Sequence, residues 1–342
     1  MRRLRHGHRR RLRALQLSQA WLLVRGLGDR PLPAEVDRGH IRSQSSTKRP
    51  SVRPGDRAIL YASVWQAMYG VAEVTGPPEH DPSRTRWAWT YPIRPDLVVA
   101  DLHDAPPVES AGIFPQSIWR HSHIRLTPGQ FEAAAGLIAK AIVELGWDRI
   151  ADRFAAWQAR IDDTERDARV DDLLVRVPRG AGILELGCGA GGRTTQRLAA
   201  HGRLTGVDIS AEQLRRARER VPEARFIHAD LATVDLPDRS FDAVVSLYAL
   251  NNLPRDELGA LFGRIHGWLR PGGLFLASLP AADLPFWQGE WLGTDMFFSG
   301  WDADVTLRLV DAAGLEIVDH RVETMREPEG EVRWLWLLVT RR

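Results

Sequence analysis

Ile183-Leu184-Glu185-Leu186-Gly187-Cys188-Gly189-Ala190-Gly191 is an apolar run that ends in an acid and three alternate glycines. It reads as a buried parallel strand turning sharply into a helix N-terminus, the usual place to hold a nucleotide-like ligand. Without Cβ atoms, Gly187, Gly189 and Gly191 take left-handed dihedrals and let a ligand approach the backbone closely. The stretch is a cofactor cradle on this reading.

Gly187, Gly189 and Gly192 also satisfy the dinucleotide spacing G-x-G-x-x-G, so a nicotinamide dehydrogenase is a rival. Leu204-Thr-Gly-Val-Asp208 reads as a second strand ending in an acid, placed to take both ribose hydroxyls, and both rivals ask for it. Phe226-Ile-His-Ala-Asp230, Phe241-Asp-Ala-Val-Val-Ser246 and Arg270-Pro-Gly-Gly-Leu-Phe-Leu-Ala277 then follow in order. That ordered set resembles the class I S-adenosylmethionine-dependent methyltransferases. The resemblance implies Glu185 near the methionine amino end, Gly187 and Gly189 under the cofactor and Asp208 on the ribose. It also implies Asp230 on the adenine amino group and Leu231 against the ring, with Gly191, Ile209 and Ser246 completing the S-adenosyl-L-methionine set.

At 342 residues the chain exceeds one typical domain, and 44% apolar with 26% charged residues is ordinary for a globular protein. One cysteine, Cys188, permits no intramolecular disulfide and fits a reducing, cytoplasmic compartment. It also excludes covalent methylation at a pyrimidine C5, which needs a nucleophilic Cys beyond the cofactor turn. Charge is uneven: +7 over residues 1–13, +2 over 14–140 and −7 over 141–342. Nucleic-acid contact is therefore expected only through residues 1–140.

Three segments follow. Residues 1–17 form a basic, disordered arm, with polyanion binding as the alternative reading. Residues 18–146 read as short strands, including Ala20–Val24, Arg57–Ser63 and Ala67–Val74, closed by a Thr127-Pro-Gly-Gln130 capping box. The Pro-Gly-Asp turn before Ala58–Ser63, the Gly70–Val74 strand with Pro77, Pro78 and Asp81 behind it, and Ile124–Pro128 look like an EVE-type domain of the PUA-like β-barrels. That likeness implies RNA or modified-base binding by aromatic rings, among Trp21, Tyr61, Trp65, Trp87, Trp89, Tyr91 and Trp119; barrel core is the alternative for each.

Residues 147–342 are the methyltransferase-like part, with the boundary placed at Gly146, read as a helix C-cap. Ile150, Phe154, Trp157 and Ile161 continue as a connecting helix. Ser210 caps a helix through Arg220, Asp256-Glu257 opens another, and a third runs from about Asp302 to Ala313. Leu315–Asp319 and Val332–Thr340 are the final antiparallel hairpin. The fold class is therefore α/β, a doubly wound sheet preceded by a small mostly-β barrel. No run is long enough to span a membrane.

Methyl transfer from a sulfonium is an in-line displacement, so the protein mainly positions the acceptor and excludes water. Two places qualify for the acceptor: Tyr248, Asn251 and Asn252 after the fourth strand, and a loop or lid from Leu284 to Trp301 carrying Trp287, Trp291, Phe297 and Phe298. The Asn251-Asn-Leu-Pro254 run departs from the Asp/Asn-Pro-Pro-Tyr/Phe pattern of base amino methylation, no glutamate pair suits arginine methylation, and no zinc spacing occurs. No side chain is assigned as a catalytic base. A small-molecule acceptor is the expectation; the alternative is a barrel that reads nucleic acid, with the α/β part acting on it or only sensing the cofactor.

Overall fold

The computed structural model describes residues 18–26, 31–114, 118, 121–158, 160 and 164–342. The basic arm, Trp119 and Ile161 lie outside the described residues. Two compact units divide between Ile142 and Val143.

The first unit is mostly β. Its strands are β1 (Ala20–Arg25), β2 (Ser43–Ser46), β3 (Arg57–Ala62), β4 (Ala67–Val74), β5 (Glu79–His80), β6 (Trp89–Val98) and β7 (His123–Leu126). They form one sheet in the order β2-β6-β4-β3-β1-β7, with β5 on β6 and only β1 and β3 parallel. Side chains tie the two ends of the sheet together. Tyr91 of β6 meets His123 of β7 at 2.6 Å, and Gln44 of β2 donates to the Val24 carbonyl of β1. Alternate residues Trp21, Leu23, Ala58, Leu60, Tyr91 and Ile93 fill the core. The Pro-Gly-Asp turn has a packing reason. Buried Asp56 accepts the N–H groups of Gln19, Arg53 and the Trp21 indole at 2.8–3.0 Å, pinning β1 to the turn.

Helix α1 (Pro128–Gln158) starts at the expected capping box: Gln130 N–H donates to Thr127 Oγ1 at 3.2 Å and Thr127 N–H to Gln130 Oε1 at 3.1 Å. It does not stop at Gly146, so that glycine is no C-cap. A Cβ there would lie 2.2 Å from Met296 Sδ and 3.1 Å from the Asp295 carbonyl oxygen. Close packing, rather than termination, is what requires glycine.

In the second unit α2 (Thr164–Arg176), β8 (Gly182–Leu186), α3 (Arg193–His201), β9 (Arg203–Asp208), α4 (Ala211–Arg220), β10 (Arg225–His228) and β11 (Phe241–Ser246) come first. Then follow α5 (Leu258–Trp268), β12 (Leu269–Pro280), β13 (Leu284–Trp291), β14 (Thr294–Gly300), α6 (Ala303–Ala312), β15 (Leu315–Glu327) and β16 (Gly330–Arg341). The main sheet runs β10-β9-β8-β11-β12-β16-β15; its first five strands are parallel, and β16 enters antiparallel between β12 and β15. Central strands are buried on both faces, as parallel strands between helix layers must be. Leu184 and Val244 join one core with Phe262 and Phe275, while Ile183, Ala243 and Val245 join the other with Val170 and Leu198.

The segment from Leu284 to Trp301 corrects an expectation. It is a β-hairpin, not a loop, turning on Leu292 and Gly293, both at positive φ. Its glycines mislead because they make room for rings: Trp287 fills the Cβ site of Gly289, and Pro280 that of Gly300.

Candidate functional site

The turn after β8 carries three glycines at φ +75°, +54° and +70°, for three different reasons. At Gly187 a Cβ would sit 2.2 Å from the Ala249 Cβ, and at Gly191 3.0 Å from the Ala217 Cα. Gly187 makes room for the Ala249 methyl group and Gly191 for the backbone of α4. Only Gly189 faces open space, with nothing within 4 Å of its Cβ position.

Two buried carboxylates flank that opening. Glu185, at the end of β8, accepts Thr195 Oγ1–H on Oε1 at 3.2 Å, while Oε2 is buried without a hydrogen-bond partner. Burial pushes its pKa up to about 8; Thr195 and Arg166 pull it down and the charge of Asp208 adds to the rise. Asp208, at the end of β9, accepts the N–H of Gly189 on Oδ2 at 2.8 Å and of Ser210 on Oδ1 at 3.0 Å. Burial raises its pKa against the pull of these backbone donors.

The remaining expected residues spread around this pair. Ile209 follows Asp208 and accepts from His228 through its carbonyl at 2.7 Å. Half-buried Asp230 holds the Ala232 N–H on Oδ1 at 2.9 Å, and Leu231 packs in the core with Leu186 and Val207. Ser246 is a strand tie: its hydroxyl donates to the Leu186 carbonyl at 3.0 Å.

Asp148 of α1 escaped the sequence reading. Its Oδ1 accepts the Ser210 hydroxyl at 2.5 Å and the Glu212 N–H at 3.2 Å, so this carboxylate caps α4 beside Asp208. One turn on, Asp152 pairs with Arg216 at 2.7 Å. An acid on the face next to buried Ile150 and Ala151 was the only signal in the chain.

The acceptor candidates separate into two groups. Asn252 is committed to structure, donating to the Phe297 carbonyl at 2.9 Å and accepting the Trp147 indole N–H at 3.2 Å. Phe297 is core. Trp287 and Trp291 each pack on Phe298, and Trp291 also on Trp147, Phe154 and Trp157 of α1. Tyr248 packs elsewhere: at φ +57°, its ring meets the edges of Trp334 and Trp336, with Arg166 5.2 Å above it. Asn251 Oδ1 is buried with no hydrogen-bond partner.

Residues 183–273 match the family described as "Methyltransferase domain". The second unit carries a class I S-adenosylmethionine-dependent methyltransferase domain. Over 127 residues the chain is 36% identical to a trans-aconitate 2-methyltransferase of Paracidovorax citrulli, covering 35% of this chain and 47% of that one. It is 29% identical over 167 residues to a dTDP-3-amino-3,4,6-trideoxy-alpha-D-glucopyranose N,N-dimethyltransferase of Streptomyces venezuelae, covering 48% and 65%. A TehB-like methyltransferase structure from Corynebacterium glutamicum shows 23% identity and a TM-score of 0.45 over 58% of this chain and 99% of that one. The chain spans about half the length of the first curated relatives it matches.

The cofactor of a methyltransferase domain, S-adenosylmethionine, suits the donors and acceptors found here. The orphaned Glu185 Oε2 needs a donor such as an ammonium. Open space over Gly189 admits a ligand against the backbone, and each Asp208 oxygen, with one backbone bond, has a lone pair left for a ribose hydroxyl. Among the described residues no group of three His, Cys, Asp or Glu is placed to hold a metal, and no helix is long and apolar enough to cross a membrane.

Proposed function

We propose that this protein transfers a methyl group from S-adenosylmethionine to a small-molecule acceptor, with Glu185, Gly189 and Asp208 as the cofactor-binding residues and Ile209, Asp230 and Leu231 around the adenine. The observation that carries the reading is the buried, half-satisfied Glu185 carboxyl beside the open face of Gly189, at the carboxyl ends of adjacent parallel strands. Bound there, S-adenosylmethionine supplies an activated methyl group; the chain orients it and keeps water out.

A small acceptor is supported by the names of the two relatives and by the −7 charge of residues 141–342, which has no attraction for phosphate. Residues 18–146 are proposed as a separate barrel domain and 147–342 as the catalytic one. Calorimetric titration with S-adenosylmethionine and, separately, NAD tests the reading. Binding of the sulfonium alone is expected; binding of NAD alone, or of neither, overturns it.

A further inference from the structure

Glu185 is held through one oxygen only, and the residue that holds it is Thr195. Thr195 is the third residue of α3 and 1% exposed. Its hydroxyl faces two acceptors, Glu185 Oε1 at 3.2 Å and the Cys188 carbonyl at 3.3 Å. In a helix the threonine hydroxyl can bond back to the carbonyl three or four residues earlier. Here those carbonyls, of Gly192 and Gly191, accept the Gln196 backbone N–H at 3.0 Å and its side-chain amide at 3.1 Å. Thr195 is therefore turned away from its own helix, toward the acid of β8 and the glycine turn.

That hydroxyl matters most when the carboxyl is charged. Burial opposes the charged form of Glu185, and the Asp208 charge at the end of β9 adds to the opposition. Thr195 works against both, because a hydrogen bond to an ionised oxygen is stronger than one to a neutral acid. Arg166 of α2 pulls the same way. Burial pushes the Cys188 thiol up, so it adds no charge to the group. With Oε1 occupied by Thr195, Oε2 is the open acceptor. A buried carboxylate oxygen with no hydrogen-bond partner in the protein fits a cation.

Resting on the methyltransferase reading, we infer that Thr195 is a positioning residue that makes the cradle select adenosyl ligands carrying an amino-acid tail. By pinning Oε1 it leaves Oε2 for the ammonium of S-adenosylmethionine. S-adenosylhomocysteine has the same ammonium and gains equally. A nucleoside without that group, such as 5′-methylthioadenosine, gains nothing from Thr195.

The test measures the affinities of S-adenosylhomocysteine and 5′-methylthioadenosine by calorimetry on the full chain, at several pH values around neutrality. The weaker ligand is read by displacement of the stronger. Thr195→Val is expected to weaken S-adenosylhomocysteine about tenfold or more at neutral pH. Its 5′-methylthioadenosine affinity stays as before, and the rise of homologue affinity with pH moves to higher pH. Thr195→Ser, which keeps the hydroxyl, restores both properties. Because the effect runs through the charge on Glu185, Thr195→Val in a Glu185→Gln background leaves the ratio of the two affinities unchanged. Thr195→Ala, which adds no bulk, carries the same expectations if thermal melts show that the valine variant does not fold. Equal weakening of both ligands, or unchanged homologue affinity, in a folded variant would overturn the inference, as would a changed ratio in the Glu185→Gln background. If the unaltered protein binds neither ligand, it is the methyltransferase reading beneath that fails.

Discussion

Asp208 Oδ2 accepts the backbone N–H of Gly189 at 2.8 Å, so the acid of the second strand and the glycine turn of the first form one rigid piece. The other oxygen holds Ser210, which caps α4. A single carboxylate therefore shapes the turn, the helix start and the proposed ribose site together.

Asp208→Ala is accordingly expected to act twice. Loss of charge-assisted bonds should cost roughly 1.5–3 kcal/mol of cofactor affinity per ribose bond, read by calorimetry. Urea unfolding should also show lower stability, because two backbone N–H groups lose their acceptor. Unchanged S-adenosylmethionine affinity in the folded variant would refute the ribose assignment.

Alanine at the first two glycines should separate folding from binding. Gly187→Ala places a Cβ 2.2 Å from that of Ala249, so a large loss of thermal stability is expected. Gly189→Ala meets nothing in the protein and carries only the left-handed strain of about 1–2 kcal/mol. Its methyl group points into the space proposed for the cofactor. Thermal melts and calorimetry on both variants should show a folding defect in the first and a binding defect in the second; the reverse pattern would misplace the ligand.

The parallel strands and their order of acids were legible because each strand is a short apolar run closed by a turn residue, a local pattern. Ser210 and Asp302 were equally local, and both accept the N–H three residues on. What could not be read was set by distant neighbours. Glycines in Leu284–Trp301 suggested a loop because nothing in the chain shows that Trp287 and Pro280 cover them. Asp148 acts on a partner 62 residues away, Ser210, and an acid of this kind looks like solvated surface until packing places it.

Gly146 gives a prediction contrary to helix propensity. Gly→Ala inside a helix ordinarily gains roughly 1 kcal/mol. Here the new methyl group would overlap the fully buried Met296 and press on the Asp295 carbonyl, and overpacking typically costs about 1–3 kcal/mol. A lower melting temperature for Gly146→Ala is expected; a higher one would show that α1 and β14 do not pack this closely.

Glu185 should make both stability and cofactor binding depend on pH. Its pKa rises from the ordinary 4.5 to about 8 in the fold, so between these values the folded chain holds a proton that the unfolded chain has lost. The contribution to stability is full below 4.5 and is lost as pH climbs to about 8, at about 1.4 kcal/mol per pKa unit. Glu185→Gln should flatten that slope in urea unfolding. An ammonium at Oε2 favours the charged carboxylate, so S-adenosylmethionine should bind more tightly as pH rises toward 8 and should expel a proton at neutral pH. Calorimetry in two buffers of different ionisation enthalpy detects that proton, while 5′-methylthioadenosine, which lacks the ammonium, should release none. Equal proton release by the two ligands would mean that Glu185 does not face the amino end.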